Sequence, residues 1–374
     1  MRVGLDVRYI SHGLTGGIHT YVLHLAQALP LLGPAEEFVY YTDRKAPFEL
    51  SSLPANVTVR WLPWSSPVTT VVNDRRIAAA AERDRLDVIH YPANYGVRGR
   101  RPMVVTLHDT LNLFPIREQL QGMARQPRRF ATTLYGALAT RHALKRADRL
   151  IADSDHARSD ITGRTGFPAD RIDVVPLAAG ERFRRISDAG LVAAFRHRLD
   201  LPRHVIVADA IKNPEAIIRA HRALPAAWRD DTGVVFFSRE RDPRTPVASH
   251  LGRDIRFIAR PPTEDLVMLY NAADAFVFPS WYEGFGLPLV EAMQCGTPVI
   301  GAVRGSIPEV LGGAGLLFDI DDAAGLARQI TAILESAALR DRLRQQSLAR
   351  ATAFSWERTA RLTLEAYRRA IQPR

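Results

Sequence analysis

A chain of 374 residues, 47% hydrophobic and 24% charged, has the composition of a soluble globular protein, and its length predicts two domains. Cys295 is the single cysteine, which excludes a disulfide framework and a cysteine-ligated metal cluster and suits a reducing cytoplasm; Met1 leads into a strand-like run rather than a signal segment, and no run of about 18 apolar residues predicts a spanning helix. The net charge of +10 is regional, since residues 98–149 hold eleven Lys and Arg against three acids; this fits either a solvated arginine-rich face or a surface for an anionic membrane or a phosphate-bearing acceptor, and no nucleic-acid-binding module motif accompanies it.

In chain order, RVGLDV from Arg2 reads as a strand and runs into HGLTGGIHTYVLHLAQAL, a glycine-rich turn that opens a helix at about Ile18. EFVYYT, VTVRWL, LDVIHY, PMVVTL, RLIADS and IDVVP follow, short β-branched runs with helix-length segments between several of them. That rhythm predicts a parallel sheet flanked by helices. It pauses near residues 180–203, and a second series begins with HVIVAD, VVFFS, IRFIA, AFVFPS, PVIGA and GLLFD. The expected fold class is therefore α/β, with two doubly wound, Rossmann-like domains joined near residue 180. From about Asp322 the chain reads as helical to its end, with Asp321 or Asp322 as N-cap.

The second domain repeats the device of the first: AFVFPS runs into WYEGFG, and a helix opens at Pro288 and ends at Gly296 with Pro298 beyond. Unpaired amides at a helix start attract anions, and open α/β sheets bind ligands at the carboxyl ends of their strands. Neither turn has the glycine pattern of a dinucleotide fold or the lysine of a P-loop. Glu283 lies before the second turn and Glu291 in the first turn of the expected helix, so both are placed to face one crevice. Carboxylates there accept paired hydroxyls, as in a ribose or hexose, and Phe285, Gly286 and Leu287 supply amides between them. The plainer alternative is that Glu283 caps locally and Glu291 complements the helix dipole.

The stretch from Leu266 to Asp319, with its two glutamates separated by seven residues and then Gly-Thr-Pro-Val and Pro-Glu-Val, resembles the donor-binding signature of retaining GT-B glycosyltransferases, glycosyltransferase family 4 (glycosyl transferases group 1). TGGIHTYV, DVIHYPAN, VVTLHD, ADSDHARSD, VVPLAA and FSWERT are similar to that family as well, so the resemblance covers nearly the whole chain. It implies a GT-B architecture: an acceptor-side domain over residues 1–180, a nucleotide-sugar-binding domain over 181–352, a cleft between them, and a final helix over 353–374 that crosses back. Glu291 would bind the donor ribose and Glu283 would sit near the transferred sugar. Phe285, Gly286 and Leu287 would contact sugar and diphosphate, and Gly16 and Gly17 would let the first-domain loop approach the diphosphate. His108 would lie near sugar and acceptor, and Asn94 and Tyr95, after a strand end, would touch the acceptor.

One departure concerns the leaving group. The glycine and arginine the family carries before a lysine are missing from HVIVADAIKNPEAIIRAH, where Lys212 and Asn213 are in place; either Arg239 or Arg260 fills the gap, or the cationic clamp is weaker, or the sequence lacks residues here. Asp319-Ile-Asp321 and Asp153-Ser-Asp155 satisfy a loose Asp-x-Asp metal pattern, yet both precede expected helices and read more simply as caps. No metal and no cofactor is expected. The implied reaction is retaining transfer of a hexose, mannose or similar, from a GDP-, UDP- or dTDP-linked sugar to a hydroxyl of a glycan, lipid-linked or small-molecule acceptor. Such an enzyme of polysaccharide biosynthesis would be cytoplasmic, with peripheral contact at the inner membrane face. A non-catalytic nucleotide-sugar-binding relative and a sugar-nucleotide epimerase are the alternatives.

Overall fold

The computed structural model describes residues 1–11, 16–46, 50, 52–120, 127–239 and 247–372. The chain divides into two compact units, Met1–Leu177 with Trp356–Arg374, and Ala178–Ser355. The first stretch of the chain thus ends at Leu177, against 180 expected, and the return to the first unit begins at Trp356, against 353 expected.

The first unit is built on seven parallel strands: β1 (Arg2–Asp6), β2 (Glu37–Asp43), β3 (Val57–Leu62), β4 (Val88–Tyr91), β5 (Met103–Leu107), β6 (Arg149–Ala152) and β7 (Ile172–Val174). Their order is β3-β2-β1-β4-β5-β6-β7, so the sequence of strands reverses direction at β1, between β2 and β4. Central strands covered by helices on both faces need unbroken apolar runs, and β4 and β5 are buried at every position. β3 sits at the edge and alternates exposed and partly buried residues over its first four positions. Its VTVRWL run carries the polar Thr58 and Arg60 outward for that reason.

The last helix, Trp356–Ile371, folds onto this unit by burying Ala360, Leu364 and Tyr367 against helix Gly17–Leu32 and the sheet. Its polar anchors are specific. Tyr367 Oη lies 2.7 Å from His90 Nδ1, Thr359 Oγ1 donates to the Pro176 carbonyl at 2.7 Å, and Trp356 stacks on His24 with ring centroids 4.9 Å apart. Truncating a fully buried tyrosine such as Tyr367 would cost about 3–5 kcal/mol.

The second unit has six parallel strands, β8 (His204–Asp209), β9 (Thr232–Ser238), β10 (Ile255–Ala259), β11 (Ala275–Phe278), β12 (Val299–Ala302) and β13 (Leu316–Phe318), in the order β10-β9-β8-β11-β12-β13. β8 pairs with both β9 and β11, which makes its carboxyl end the point where the winding reverses. Open sheets of this type bind ligands in the crevice at such a point. Among the described residues no helix is long and apolar enough to cross a membrane.

Candidate active site

β8 delivers Asp209 to the carboxyl end of the second sheet. Its Oδ1 accepts from the Ile211 amide at 3.1 Å and tightens the turn that follows. Asn213 then adopts a left-handed conformation with φ 50°, and Pro214 opens helix Pro214–Arg222. Asparagine tolerates that conformation and proline is pre-set for a first helical position, so the chain turns sharply here. Lys212 sits in the turn, and its Nζ lies 2.7 Å from Glu283 Oε1. The Asn213 Nδ2 beside it is buried and has no hydrogen-bond partner among the described residues.

Glu283 arrives from β11. Ser280 Oγ donates to the same Oε1 at 2.7 Å, and the backbone carbonyl of Glu283 accepts from the Ser306 amide at 3.2 Å. Ser306 Oγ donates to the Phe285 carbonyl at 2.9 Å. Gly305, at φ 56°, is required beneath this loop, because a Cβ there would fall 2.6 Å from the Glu283 carbonyl. With its carbonyls fixed, the loop turns at Gly286, whose φ of 93° suits glycine, into helix Leu287–Gln294. The amides of Phe285, Gly286 and Leu287 donate to no group among the described residues. Three buried donors are thus presented together at the start of a helix.

Glu291 departs from its expected place. The helix begins at Leu287, one residue before Pro288, so Glu291 falls in the second turn and leaves the first turn without an acidic residue. Its carboxylate is 2% exposed and does not serve the helix dipole: Oε2 accepts from Arg239 at 2.5 Å and from the Tyr270 hydroxyl at 3.4 Å. Arg239 follows directly on β9, the neighbour of β8. Burial is the largest single influence and opposes its charge, but Glu291, Tyr270 and Asp209 together outweigh it and raise the guanidinium pKa. Asp209 is pushed up to about 6, chiefly by burial, against the Ile211 amide bond and the attraction of Lys212 and Arg239. The cluster therefore sets two cations against three carboxylates, with each cation on its own glutamate. An entering anion finds Lys212 and Arg239 already aimed, provided that it replaces the glutamates as their partner.

The first unit carries its polar groups at the carboxyl ends of β4, β5 and β6. His108 follows β5; its Nδ1 lies 2.7 Å from Asp153 Oδ2 and its Nε2 2.9 Å from the Pro92 carbonyl. Its backbone N–H donates to Asn94 Oδ1 at 2.7 Å, and the Tyr21 ring meets its imidazole edge-on at 4.8 Å. Burial works against charge on both members of the pair. At His108 burial is the largest single influence, but the Asp153 carboxylate, the Pro92 carbonyl and Asp109 together outweigh it and the imidazole pKa is raised; at Asp153 burial prevails over His108 and the carboxyl is raised too. The two upward shifts agree that a proton is retained between Nδ1 and Oδ2. His90, next to this group, is held neutral by burial and then by the His108 charge, with its pKa pushed down to about 3. It bridges Tyr367 Oη to Thr106 Oγ1, which in turn meets Tyr21 Oη at 2.9 Å.

Comparison with known proteins shows the family. The family model described as Glycosyl transferases group 1 matches residues 207–350, and the one described as Glycosyltransferase Family 4 matches residues 15–179. The O-antigen chain mannosyltransferase B of Escherichia coli is 30% identical over 311 residues, covering 78% of this chain and 77% of the relative. The chain belongs to the family 4, group 1 glycosyltransferases. The glycosyltransferase fold is also that of sucrose-phosphate synthase from Thermosynechococcus elongatus, with TM-score 0.73, 22% identity and 98% of each chain covered. The Anabaena protein HepE, solved with UDP-glucose, superposes with TM-score 0.70 at 18% identity, covering 98% of this chain and 99% of its own. Both are GT-B structures, and the glycosyltransferase shares their two-unit α/β fold.

Within the glycosyltransferase, Lys212, Arg239, Glu283 and Glu291 come together in the second unit with the amides of Phe285, Gly286 and Leu287. Of the two candidate arginines, Arg239 joins this cluster; Arg260 is exposed, and its side chain bonds to no described residue of it. In the first unit His108 and Asn94 are in contact, whereas the Tyr95 hydroxyl lies 3.4 Å from Arg8. Arg8 is fully buried and forks onto Asp6 and Asp74. Gly16 precedes helix Gly17–Leu32 at φ 149°, and a Cβ on either glycine would meet nothing within 4 Å; residues 12–15 of the same turn lie outside the described residues.

The Asp-x-Asp readings need correction. Asp153 is the partner of His108, and it is Ser154 that caps helix Asp155–Thr165 by accepting from the Ala157 amide. Asp322 caps helix Ala323–Glu335, while Asp319 and Asp321 lie 3.9 and 3.7 Å from Arg304. Among the described residues no group of three or more His, Cys, Asp or Glu is placed to hold a metal ion. Asp209, Ser280 and Tyr270 are neighbours of the cluster that sequence reasoning did not single out, and Asp153 it read only as a cap or metal ligand. For Asp209 a signal was present, a carboxylate ending an apolar strand three residues before Lys212.

Proposed function

We propose that this glycosyltransferase moves a hexosyl group, mannose first, from a nucleoside-diphosphate sugar to an acceptor hydroxyl, with retention of configuration and without a metal ion. The observation that carries the reading is the pairing of Lys212 with Glu283 and Arg239 with Glu291 beside three unbonded amides at the switch point of the second sheet. In this reading the donor diphosphate takes the cations and the amides, Glu291 turns to the ribose hydroxyls, and Glu283 faces the sugar. As the anomeric carbon–oxygen bond breaks, its electron pair passes to the diphosphate, where fixed donors stabilise the charge without reorganising. The acceptor oxygen bonds to the anomeric carbon from the same face, and its proton passes to a diphosphate oxygen.

His108 is assigned to positioning in the first unit, together with Asn94, because both its ring nitrogens are already occupied. Proton removal is then left to the donor itself. The mannosyltransferase relative supports mannose, hence GDP-mannose as first donor, and the UDP-glucose complex of HepE keeps UDP-linked sugars in contention. A lipid-linked or polysaccharide acceptor would bring the reaction to the inner face of a membrane by peripheral contact.

A binding-only relative is the second reading, favoured by Asp209, a third carboxylate where the family resemblance leads one to expect cationic help. A thermal-shift panel of GDP, UDP and dTDP tests the donor, since selective binding to the folded state raises its melting temperature. Release of the selected nucleotide in the presence of acceptor, undiminished by a chelator, supports transfer without metal. Binding without release under any acceptor supports the second reading.

A further inference from the structure

A pocket of about 920 Å³ opens in the first unit where the chain leads into β5, β6 and β7. These are the amino ends of strands whose carboxyl ends lead to His108 and Asp153, so the pocket and that group are separated by about one strand length, roughly 13 Å for a four-residue strand. Six cations line it, Arg98, Arg141, Lys145, Arg146, Arg164 and Arg171, against one carboxylate, Asp148.

Two of the six cations, Arg98 and Arg164, are paired with carboxylates, and the pocket keeps an excess of positive charge. Arg141 donates to the carbonyls of Asn112, Leu113, Phe114 and Ala137 at 2.6–3.1 Å, which orient the guanidinium and neutralise nothing. Arg171 donates to the carbonyls of Ala147 and Asp148 at 2.6 and 2.8 Å. Asp148 is engaged by Arg98 and by the Met103 amide, and Arg164 by Asp160. Lys145 and Arg146 are exposed and form no ion pair among the described residues. A concave site with this excess of positive charge focuses its field on anions, and guanidinium forks match phosphate oxygens in pairs. Leu113, Leu144, Phe167 and Pro168 add an apolar wall suited to the organic part of such a ligand.

We propose that this pocket is a second ligand site, for a phosphate-bearing group supplied either by an anionic phospholipid headgroup or by a soluble phosphate compound. It is independent of the donor assignment, because its residues lie in the other unit and at the opposite sheet end from the acceptor-side group. The test uses the full chain with two probes: pyrophosphate, followed by calorimetry, and vesicles of phosphatidylcholine with or without phosphatidic acid, followed by pelleting. Lys145→Glu combined with Arg146→Glu is compared with Arg75→Glu combined with Arg83→Glu, an equal charge change on exposed residues that do not line the pocket. Should charge reversal impair folding, judged by thermal melts, Lys145→Gln with Arg146→Gln replaces the first pair.

The pocket variant is expected to lose about tenfold or more in affinity, equivalent to about 1.4 kcal/mol, and the control pair about twofold or less. Vesicle binding that requires phosphatidic acid and is competed by pyrophosphate identifies the headgroup. Pyrophosphate binding that the pocket variant loses, without vesicle binding, identifies the soluble source. Equal losses in both double variants, or no binding of either probe by the unmodified chain, overturns the proposal.

Discussion

Lys212 Nζ and Glu283 Oε1 lie 2.7 Å apart at the carboxyl end of the second sheet, and Ser280 Oγ holds the same carboxylate oxygen from the other side. A lysine fixed this way is aimed before the donor arrives. Its contribution is therefore expected in the transition state, where charge develops on the diphosphate, more than in ground-state binding.

Lys212→Ala is expected to lower kcat by about 100- to 1,000-fold while changing donor affinity far less. Single-turnover kinetics and calorimetry measured on one preparation separate the two. A loss confined to affinity, with turnover intact, would reassign Lys212 to uniform binding.

Glu291 is buried against Arg239 and Tyr270, so the variants differ in what they leave behind. Glu291→Ala is expected to raise the Kd for the nucleoside diphosphate about tenfold, and to destabilise the fold by about 3–5 kcal/mol through the stranded Arg239. Glu291→Gln keeps the volume and should show the affinity loss with a smaller stability loss. Equal nucleotide affinity in wild type and both variants would remove the ribose assignment.

Asp209 gives a pH-dependent stability of known sign. Its folded pKa, raised to about 6 chiefly by burial, lies above the ordinary carboxylate range, so the folded state disfavours the ionised form. Stability is therefore lost as pH rises from about 4 to about 6 and is level above that. Asp209→Asn should be more stable than wild type by about 1–3 kcal/mol at neutral pH, with the gain gone near pH 4. Urea unfolding at the two pH values decides it, and a gain of equal size at both would show that the carboxylate is not the cause.

The fold was legible because covered parallel strands must be apolar throughout, and each of the thirteen β-branched runs became a strand within a residue or two of its expected ends. In the second unit Glu283 and Glu291 were legible as one local pattern and Lys212 as another, although the helix starts a residue earlier than expected and puts Glu291 in its second turn. Arg239 was visible only as one of two candidates, because its choice depends on β9 lying beside β8, a relation set by long-range pairing. The same limit hid Asp153 as the partner of His108: the two are 45 residues apart and meet because β5 and β6 are neighbours. Local spacing makes Asp153-Ser-Asp155 look like a cap or a ligand pair, and only the sheet order shows which carboxylate turns inward.

The His108–Asp153 pair makes a fourth prediction. Burial opposes charge on His108, but Asp153 first, then the Pro92 carbonyl and Asp109, together outweigh it, so the folded pKa lies above the ordinary imidazole value of about 6.5. The stability contributed by the His108 imidazolium is fully present below that value and is lost as pH rises through the raised pKa. NMR titration of the histidines should show His108 protonated beyond the ordinary range, and Asp153→Asn should bring its pKa down. A His108 that titrates at or below the ordinary value in the unmodified protein contradicts the retained proton.

The most direct measurement is a crystal structure with a bound nucleoside diphosphate. The account predicts diphosphate oxygens on Lys212 Nζ and on the amides of Phe285, Gly286 and Leu287, with Glu291 moved from Arg239 to the ribose hydroxyls. A nucleotide bound elsewhere, with the Lys212–Glu283 and Arg239–Glu291 pairs intact, would contradict it.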